Sequence, residues 1–452
     1  MHLRRTHNFL EKICSCSRRR APQVSEGTYP LRSFRSRGVT LIDTVVGVAL
    51  MLVVFVGISG VFRLSVDVVT NNKARAGAIA LADQRMEYLR SLSYAAVGTV
   101  GGVPSGTLAQ SESLSLNGVK YTRRTIVVYA DDPKDGTGGS DNFPSGSPVT
   151  ADYKAAKVDV AWTTRYGGTR HVDLVTRISP ATSQGEINPC SGSCGPLVIN
   201  VVNSVNQPVA GASVTITNAS ASPAINFSTF SAANGTVTLL AAPAVSGYSA
   251  SASNSGYTSD QTATPFTVVT GGTSQTLRID AVSSITVVTQ TYGSGTPITN
   301  VPFTLSGATY GYNSVLGGVG SPTTTISNLK WDTYTMSVAS ATGYDIASSC
   351  MPQPITLAAN TATTTTLYLA PHTSNSLAVK VTSNATGALL SGASVQLTKT
   401  GYNVTQTTDA CGQTFFSGLT AGTYTASVSK SGYTTKNSSP SVSGQTGLSV
   451  AL

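Results

Sequence analysis

From Thr44 to Phe62, nineteen consecutive residues carry no charge, and no other feature of the chain limits its folding as strongly. A helix over this run is ~28 Å long, enough to cross a hydrocarbon core. Before it, residues 1–38 hold nine Lys or Arg against two acids, which leaves 20 bases and 18 acids over the other 414 residues. The positive-inside rule therefore keeps the N-terminal side cytoplasmic and sends the rest of the chain outward. A cleaved secretory signal is the competing reading, but its apolar core would be shorter and would end in small residues. The body is nearly neutral, so it lacks the basic face that nucleic-acid binding needs. Only His171 and His372 lie beyond residue 38, which leaves little material for histidine catalysis. Charged residues are 11% and hydrophobics 40%, a low-charge composition that still supplies a core.

Asp43 stands at the start of the apolar run. A carboxylate costs up to ~3 kcal/mol at mid-bilayer, less near an end, and marks function by default. A helix dipole would favour it in a first turn by ~0.3–1 kcal/mol. Arg37-Gly38-Val39-Thr40-Leu41-Ile42-Asp43 resembles the processing site of type IV prepilins and type II secretion pseudopilins. The resemblance implies cleavage after Gly38 by a membrane-embedded prepilin peptidase, then N-methylation of Val39. It also implies that Asp43, in place of the family's fifth-position Glu, neutralises the terminal ammonium of a neighbouring pilin. Three departures stand out: Val39 replaces the commoner Phe, Asp43 is one methylene shorter than Glu, and the leader 1–38 is long. The implied partners are other pilins, the peptidase and the inner-membrane assembly platform.

Val66, Val69, Ala76, Ile79, Ala80, Asp83, Met86, Leu89 and Leu92 roughly follow a 3.6-residue period, so the helix is expected to run over 39–94. This long helix again resembles that of a pilin, with its membrane segment at 44–62 and its second half on a head domain. Residues 95–180 read as that head, an antiparallel sheet opened by the hairpin signal Asn117-Gly118. A loop in it gathers Asp131, Asp132, Asp135 and Asp141 around glycines. Closely spaced carboxylates suit Ca²⁺; Asp, Pro and Gly are equally the residues that turns use. No other cofactor is expected.

Residues 181–195 form a linker containing Cys190 and Cys194, and beyond it the chain repeats. Gly211-Ala-Ser-Val-Thr-Ile216, Asn300-Val-Pro-Phe-Thr-Leu305 and Gly392-Ala-Ser-Val-Gln-Leu397 correspond, as do Tyr248, Tyr334 and Tyr424. The spacing predicts three β-sandwich repeats over 196–282, 283–371 and 372–452. The third, through Gly422-Thr-Tyr-Thr-Ala-Ser-Val-Ser-Lys-Ser-Gly-Tyr433, resembles carboxypeptidase-regulatory (prealbumin-like) domains, which serve as spacers or adhesive modules. The repeats also resemble Gram-positive pilin domains closed by Lys–Asn isopeptide bonds. That chemistry uses a nearby acid, usually Glu, and residues 196–452 contain no Glu; Lys380 therefore reads as a strand lysine. Beyond the leader the cysteines number an even four, as an oxidising exterior favours. Bridges Cys190–Cys194 and Cys350–Cys411 are expected, the second tying two repeats together.

The fold class expected is thus an α+β pilin, a long helix with a sheet head, followed by three all-β sandwich domains. The function expected is that of a minor type IV pilin without catalysis, projecting β-domains at a cell surface toward a ligand the sequence does not identify. A type II secretion pseudopilin is one alternative. A membrane-tethered carbohydrate-binding protein is another, for which Trp331 and the tyrosines would supply aromatic surfaces.

Overall fold

The computed structural model describes residues 41–132, 134, 150–180, 189, 193–317 and 320–452. One helix, α1 (Leu41–Ser91), precedes an all-β body. Gly38, Val39, Asp135, Asp141 and Cys190 lie outside the described residues, as does the side chain of Asp43.

Strands β1 (Ser111–Leu116), β2 (Val119–Ala130), β3 (Tyr153–Thr163) and β4 (Thr169–Ile178) form an antiparallel meander in the order β1-β2-β3-β4. Asn117 and Gly118 turn β1 into β2 with φ of +52° and +80°, the paired positive angles of a type I′ hairpin. Along β3, Lys154, Ala156, Val158, Val160 and Trp162 are buried while the residues between them are half-buried, so the two-residue period sets one face against α1.

Next come β5 (Cys194–Val202), β6 (Ser213–Asn218), β7 (Ile225–Phe230), β8 (Thr236–Pro243), β9 (Ser249–Ser253), β10 (Asp260–Gln261) and β11 (Thr273–Arg278). They form sheets β11-β5-β8 and β10-β9-β6-β7 around a cluster that includes Leu197, Ile216, Phe227 and Tyr248. The pattern returns in β12 (Ser283–Thr291), β13 (Pro302–Gly307), β14 (Asn313–Gly317), β15 (Thr323–Leu329), β16 (Asp332–Ser337), β17 (Tyr344–Ser349), β18 (Ile355–Leu357) and β19 (Ala362–Pro371). Sheets β15-β12-β19-β17 and β14-β13-β16-β18 enclose a cluster around Tyr334. It returns again in β20 (Ser376–Thr382), β21 (Ser394–Lys399), β22 (Tyr402–Thr407), β23 (Gln413–Phe416), β24 (Gly422–Thr423), β25 (Thr425–Ser429), β26 (Lys436–Ser438), β27 (Ser441–Val442) and β28 (Gln445–Ala451). Sheets β23-β20-β28 and β22-β21-β25-β26 enclose Tyr424. Each time the opening strand pairs in parallel with the closing one (β5 with β11, β12 with β19, β20 with β28) and antiparallel with one between.

The recurring tyrosines have one job. Tyr248, Tyr334 and Tyr424 are at most 2% exposed, and each hydroxyl donates to a carbonyl four or five residues upstream: Pro243 at 2.9 Å, Lys330 at 2.9 Å and Thr420 at 3.0 Å. The ring fills the core while the hydroxyl pins the preceding turn, in the manner of a tyrosine corner. Burial pushes the Tyr248 and Tyr334 hydroxyls up to about 12, so both stay protonated donors at neutral pH. Tyr334→Phe should cost ~1 kcal/mol, seen as a lower denaturant midpoint with an unchanged slope.

Candidate functional site: the membrane-length helix, its seat and the closed joint

Between Leu41 and Val69 every described apolar side chain of α1 is exposed, Phe55 and Phe62 at more than 70%. Mean hydropathy reaches 2.7 over eighteen residues, and the helix is long and apolar enough to cross a membrane. A helix apolar all round is stable only with an apolar surrounding, either lipid or other helices.

From Asn71 on, α1 is a different object. Ala74, Ala78, Ala82, Met86 and Leu89 are buried on the sheet, whereas Ala76, Ile79, Ala80 and Asp83 are exposed. This corrects the face expected from hydrophobic periodicity. The sheet brings the large residues, Tyr121 and Trp162, so the helix must present small ones. Tyr121 Oη donates to the Ala74 carbonyl at 2.9 Å, and a Cβ on Gly77 would sit 2.5 Å from that oxygen.

The seat carries a charge cluster that the sequence reading missed. Glu112 on β1 accepts from Arg85 of α1 and from Arg123 of β2, the latter at 2.8 and 3.0 Å. Arg123 also donates to the Leu81 carbonyl at 3.2 Å and to Gln84 at 3.3 Å. Burial alone would raise the Glu112 carboxyl, but the two guanidinium groups outweigh it and hold it below the usual range. At the start of β3, Lys154 reaches the Tyr94 and Val97 carbonyls at 2.8 and 2.7 Å beneath the Tyr94 ring; burial lowers it to about 8.

Of the aspartate loop, Asp131 and Asp132 follow β2. The Asp132 N–H donates to the Asp152 carboxylate, and the Asp132 carboxylate lies 4.0 Å from Arg177. Among the described residues, no three His, Cys, Asp or Glu side chains gather as a metal site would need. His171 is exposed on β4 opposite Ala161. Trp331 meets Tyr310 edge to face at 5.5 Å, so the two rings do not lie in one plane. Lys380 lies on β20 and reaches the Gln353 carbonyl at 3.4 Å.

Cys194 is disulfide-bonded. Cys350 and Cys411 form a disulfide with Cα atoms 5.0 Å apart, joining the Tyr334 sandwich to the Tyr424 sandwich. Around it the joint is dense. Phe415 packs on Ala347, Ala370 and Tyr292; Ser348 Oγ donates to Asp409 at 2.6 Å; Gln413 Nε2 donates to the Ser349 carbonyl at 2.7 Å. Asp345 is fully buried there, bonded to His372 Nδ1 at 2.6 Å, to the Thr373 N–H at 3.2 Å and to Gln445. A groove of about 450 Å³ runs beside the bridge, walled by Met351, Pro354 and Leu389 among others.

Several solved structures resemble the chain. One is the TIE protein of Bacillus anthracis, at 15% identity over 75% of this chain and 72% of that one, with a TM-score of 0.18. A streptococcal ancillary pilin shares 12% identity over 57% and 98%, TM-score 0.17. The minor pilin of Streptococcus agalactiae shares 13% over 39% and 96%, TM-score 0.21. No curated protein matches the sequence. The family model that does match is the carboxypeptidase regulatory-like domain, over residues 376–452, the β20–β28 sandwich.

Proposed function

We propose that the chain is a minor type IV pilin, a structural subunit without catalysis whose three β-sandwich domains follow a pilin-like head. The precursor spans the membrane once, N-in and C-out. The peptidase removes residues 1–38, Val39 is methylated, and the assembly platform passes the subunit into a filament at the cell surface. There Asp43 answers the ammonium of a neighbouring pilin and the sandwiches face outward. What carries this reading is the division of one helix: a stretch exposed and apolar on every side, continued by a stretch with an alanine face seated on a sheet. Lipid satisfies the first stretch before assembly and neighbouring helices satisfy it afterwards. The density of β-domains favours a tip or interspersed position, since a tightly wound filament built wholly of such subunits would be crowded.

The decisive measurement is mass spectrometry of the protein from sheared surface filaments. An N-terminal N-methyl-valine at residue 39 is the expected result. An intact leader, cleavage after Phe62, or absence from filaments would overturn the proposal.

A further inference from the structure

Domains joined in one chain ordinarily keep some relative motion, and a hinge works through a few residues free to change φ and ψ. The two short connections between the sandwiches are bonded instead to the domains on both sides. The first, Ile279-Asp-Ala-Val282, leads from β11 to β12 and contains no glycine. Each of its N–H groups has an acceptor. Ile279 donates to the Val202 carbonyl at 3.0 Å, Asp280 to Thr258 Oγ1 at 3.4 Å, Ala281 to the Asp280 carboxylate at 2.8 Å and Val282 to the Gly256 carbonyl at 3.1 Å. Its carbonyls are taken from both sides: Asp280 accepts from Thr258 of the β5–β11 sandwich at 2.8 Å, and Ala281 from Asn360 of the β12–β19 sandwich at 3.2 Å. The Asp280 carboxylate also accepts from the Ser204 N–H at 3.0 Å and from Ser204 Oγ at 2.5 Å. Across the same joint Lys330 lies 3.6 Å from Asp260, both largely buried.

The second connection, His372-Thr-Ser-Asn375, leads from β19 to β20 and also lacks glycine. On the β12–β19 side, the His372 N–H donates to the Gly343 carbonyl at 2.9 Å and the Thr373 N–H to Asp345 at 3.2 Å. On the β20–β28 side, the Gly418 N–H donates to Thr373 Oγ1 at 3.1 Å, Leu419 to the Asn375 carbonyl at 3.0 Å and Gly444 to Asn375 Oδ1 at 2.9 Å. Thr373 is thus held by both sandwiches at once. The head is tied to the first sandwich by another route. The Asn226 N–H of β7 donates to the Gly101 carbonyl at 2.9 Å, its carbonyl accepts from Gln110 Nε2 at 2.6 Å, and the Ser228 N–H donates to Gln110 Oε1 at 3.0 Å. Ile126, Val128 and Tyr129 of the head pack into the same cluster as Phe227.

We propose that the head and the three sandwiches move as one body, with no hinge at any of the three joints. A connecting residue bonded to both neighbours cannot turn without breaking bonds on one side, and a backbone group that loses its partner away from water is costly. Asp280 and Thr373 are the positioning residues of the two connections, because each gathers bonds from more than one segment. The device is positional. The β20–β28 sandwich is carried at a set distance and orientation from the sheet on which α1 is seated. A contact made by the last domain is therefore delivered to the first with no slack between them. This holds whatever the apolar half of the helix enters, and so is independent of the pilin reading.

The test is single-molecule energy transfer on the full chain in detergent. Dyes are attached through bioorthogonal residues at positions 163, 219, 315 and 436, an exposed site in the head and in each sandwich. The pairs 163–219, 219–315 and 315–436 each span one joint. All three should give a single narrow distance distribution. A Gly-Ser-Gly-Ser insertion between Ala281 and Val282 should at least double the width of the 219–315 distribution, and Asp280→Ala should broaden it in the same direction. The other two pairs should stay narrow in both variants, which also shows that the domains remain folded. A distribution in the unaltered chain that is split, or as wide as that of the insertion variant, would overturn the proposal. So would a 219–315 width unchanged by both variants, since the connection would then not be what holds the joint.

Discussion

Replacing Cys350 and Cys411 together by serine should lower the stability of the Tyr334 and Tyr424 sandwiches against unfolding by as much as ~4 kcal/mol. The bridge closes a separation of 61 residues, and in the chain-entropy model a loop of that length accounts for about this figure. The two sandwiches should stay docked, because Phe415, the Ser348–Asp409 bond and the Gln413–Ser349 bond are all noncovalent. The change should show in how often the sandwiches unfold: amides over Gln413–Phe416 that exchange through unfolding should accelerate by up to roughly a thousandfold. Protection unchanged in the double variant would mean that noncovalent packing alone holds the joint. Free thiols at both positions in the exported protein would remove the bridge altogether.

The second large effect is expected at Glu112. Glu112→Gln removes the one carboxylate between Arg85 and Arg123, both under 10% exposed, and leaves two buried guanidinium groups facing each other. Breaking a fully buried pair from one side costs ~3–5 kcal/mol, because the stranded charge keeps its desolvation penalty; Glu112 is 29% exposed, so up to ~3 kcal/mol is expected here. Loss of helix protection over Ala74–Leu89 should report it. Replacing all three residues by apolar ones of similar volume should restore most of the protection, which a loss of packing alone would not predict. The same cluster sets a pH dependence. The folded carboxyl is held below its ordinary value of 4.5, so the unfolded chain takes up a proton first as pH falls. The contribution is complete above about pH 4.5 and is lost below it, as pH falls through the folded value. Glu112→Gln should abolish that acid-side slope.

Much of this was legible from residue order. The uncharged run, the Asn117-Gly118 hairpin and strands β1 to β4 follow from local pattern, and local pattern is what a single sequence displays. The recurring tyrosines were legible because Tyr248, Tyr334 and Tyr424 stand in matching sequence contexts, and each pins the turn before it. The helix face was misread because hydrophobic periodicity weighs large residues, while contact with Tyr121 and Trp162 demands small ones. A run of alanines four apart, Ala74, Ala78 and Ala82, was the available signal. The Glu112 cluster gave no such sign, since its members come from α1, β1 and β2 and meet only through tertiary packing. Asp345, His372 and Gln445 meet for the same reason, across a hundred residues of chain.

The parallel pairing of opening and closing strands has a mechanical consequence. In the Tyr334 sandwich the chain enters along β12 and leaves along β19, side by side and pointing the same way, over eight paired residues from Ser284↔Ala362 to Thr291↔Leu369. Tension between the two ends therefore pulls these strands past each other lengthwise. Lengthwise sliding loads all the ladder bonds at once, whereas peeling from one end would break them in turn. β5 with β11 and β20 with β28 repeat the arrangement. The Cys350–Cys411 bridge closes a loop that contains β19 and β20, so a load drawn along the chain has a covalent path around those two strands, and it is the β5–β11 pair that such a load tests without that bypass.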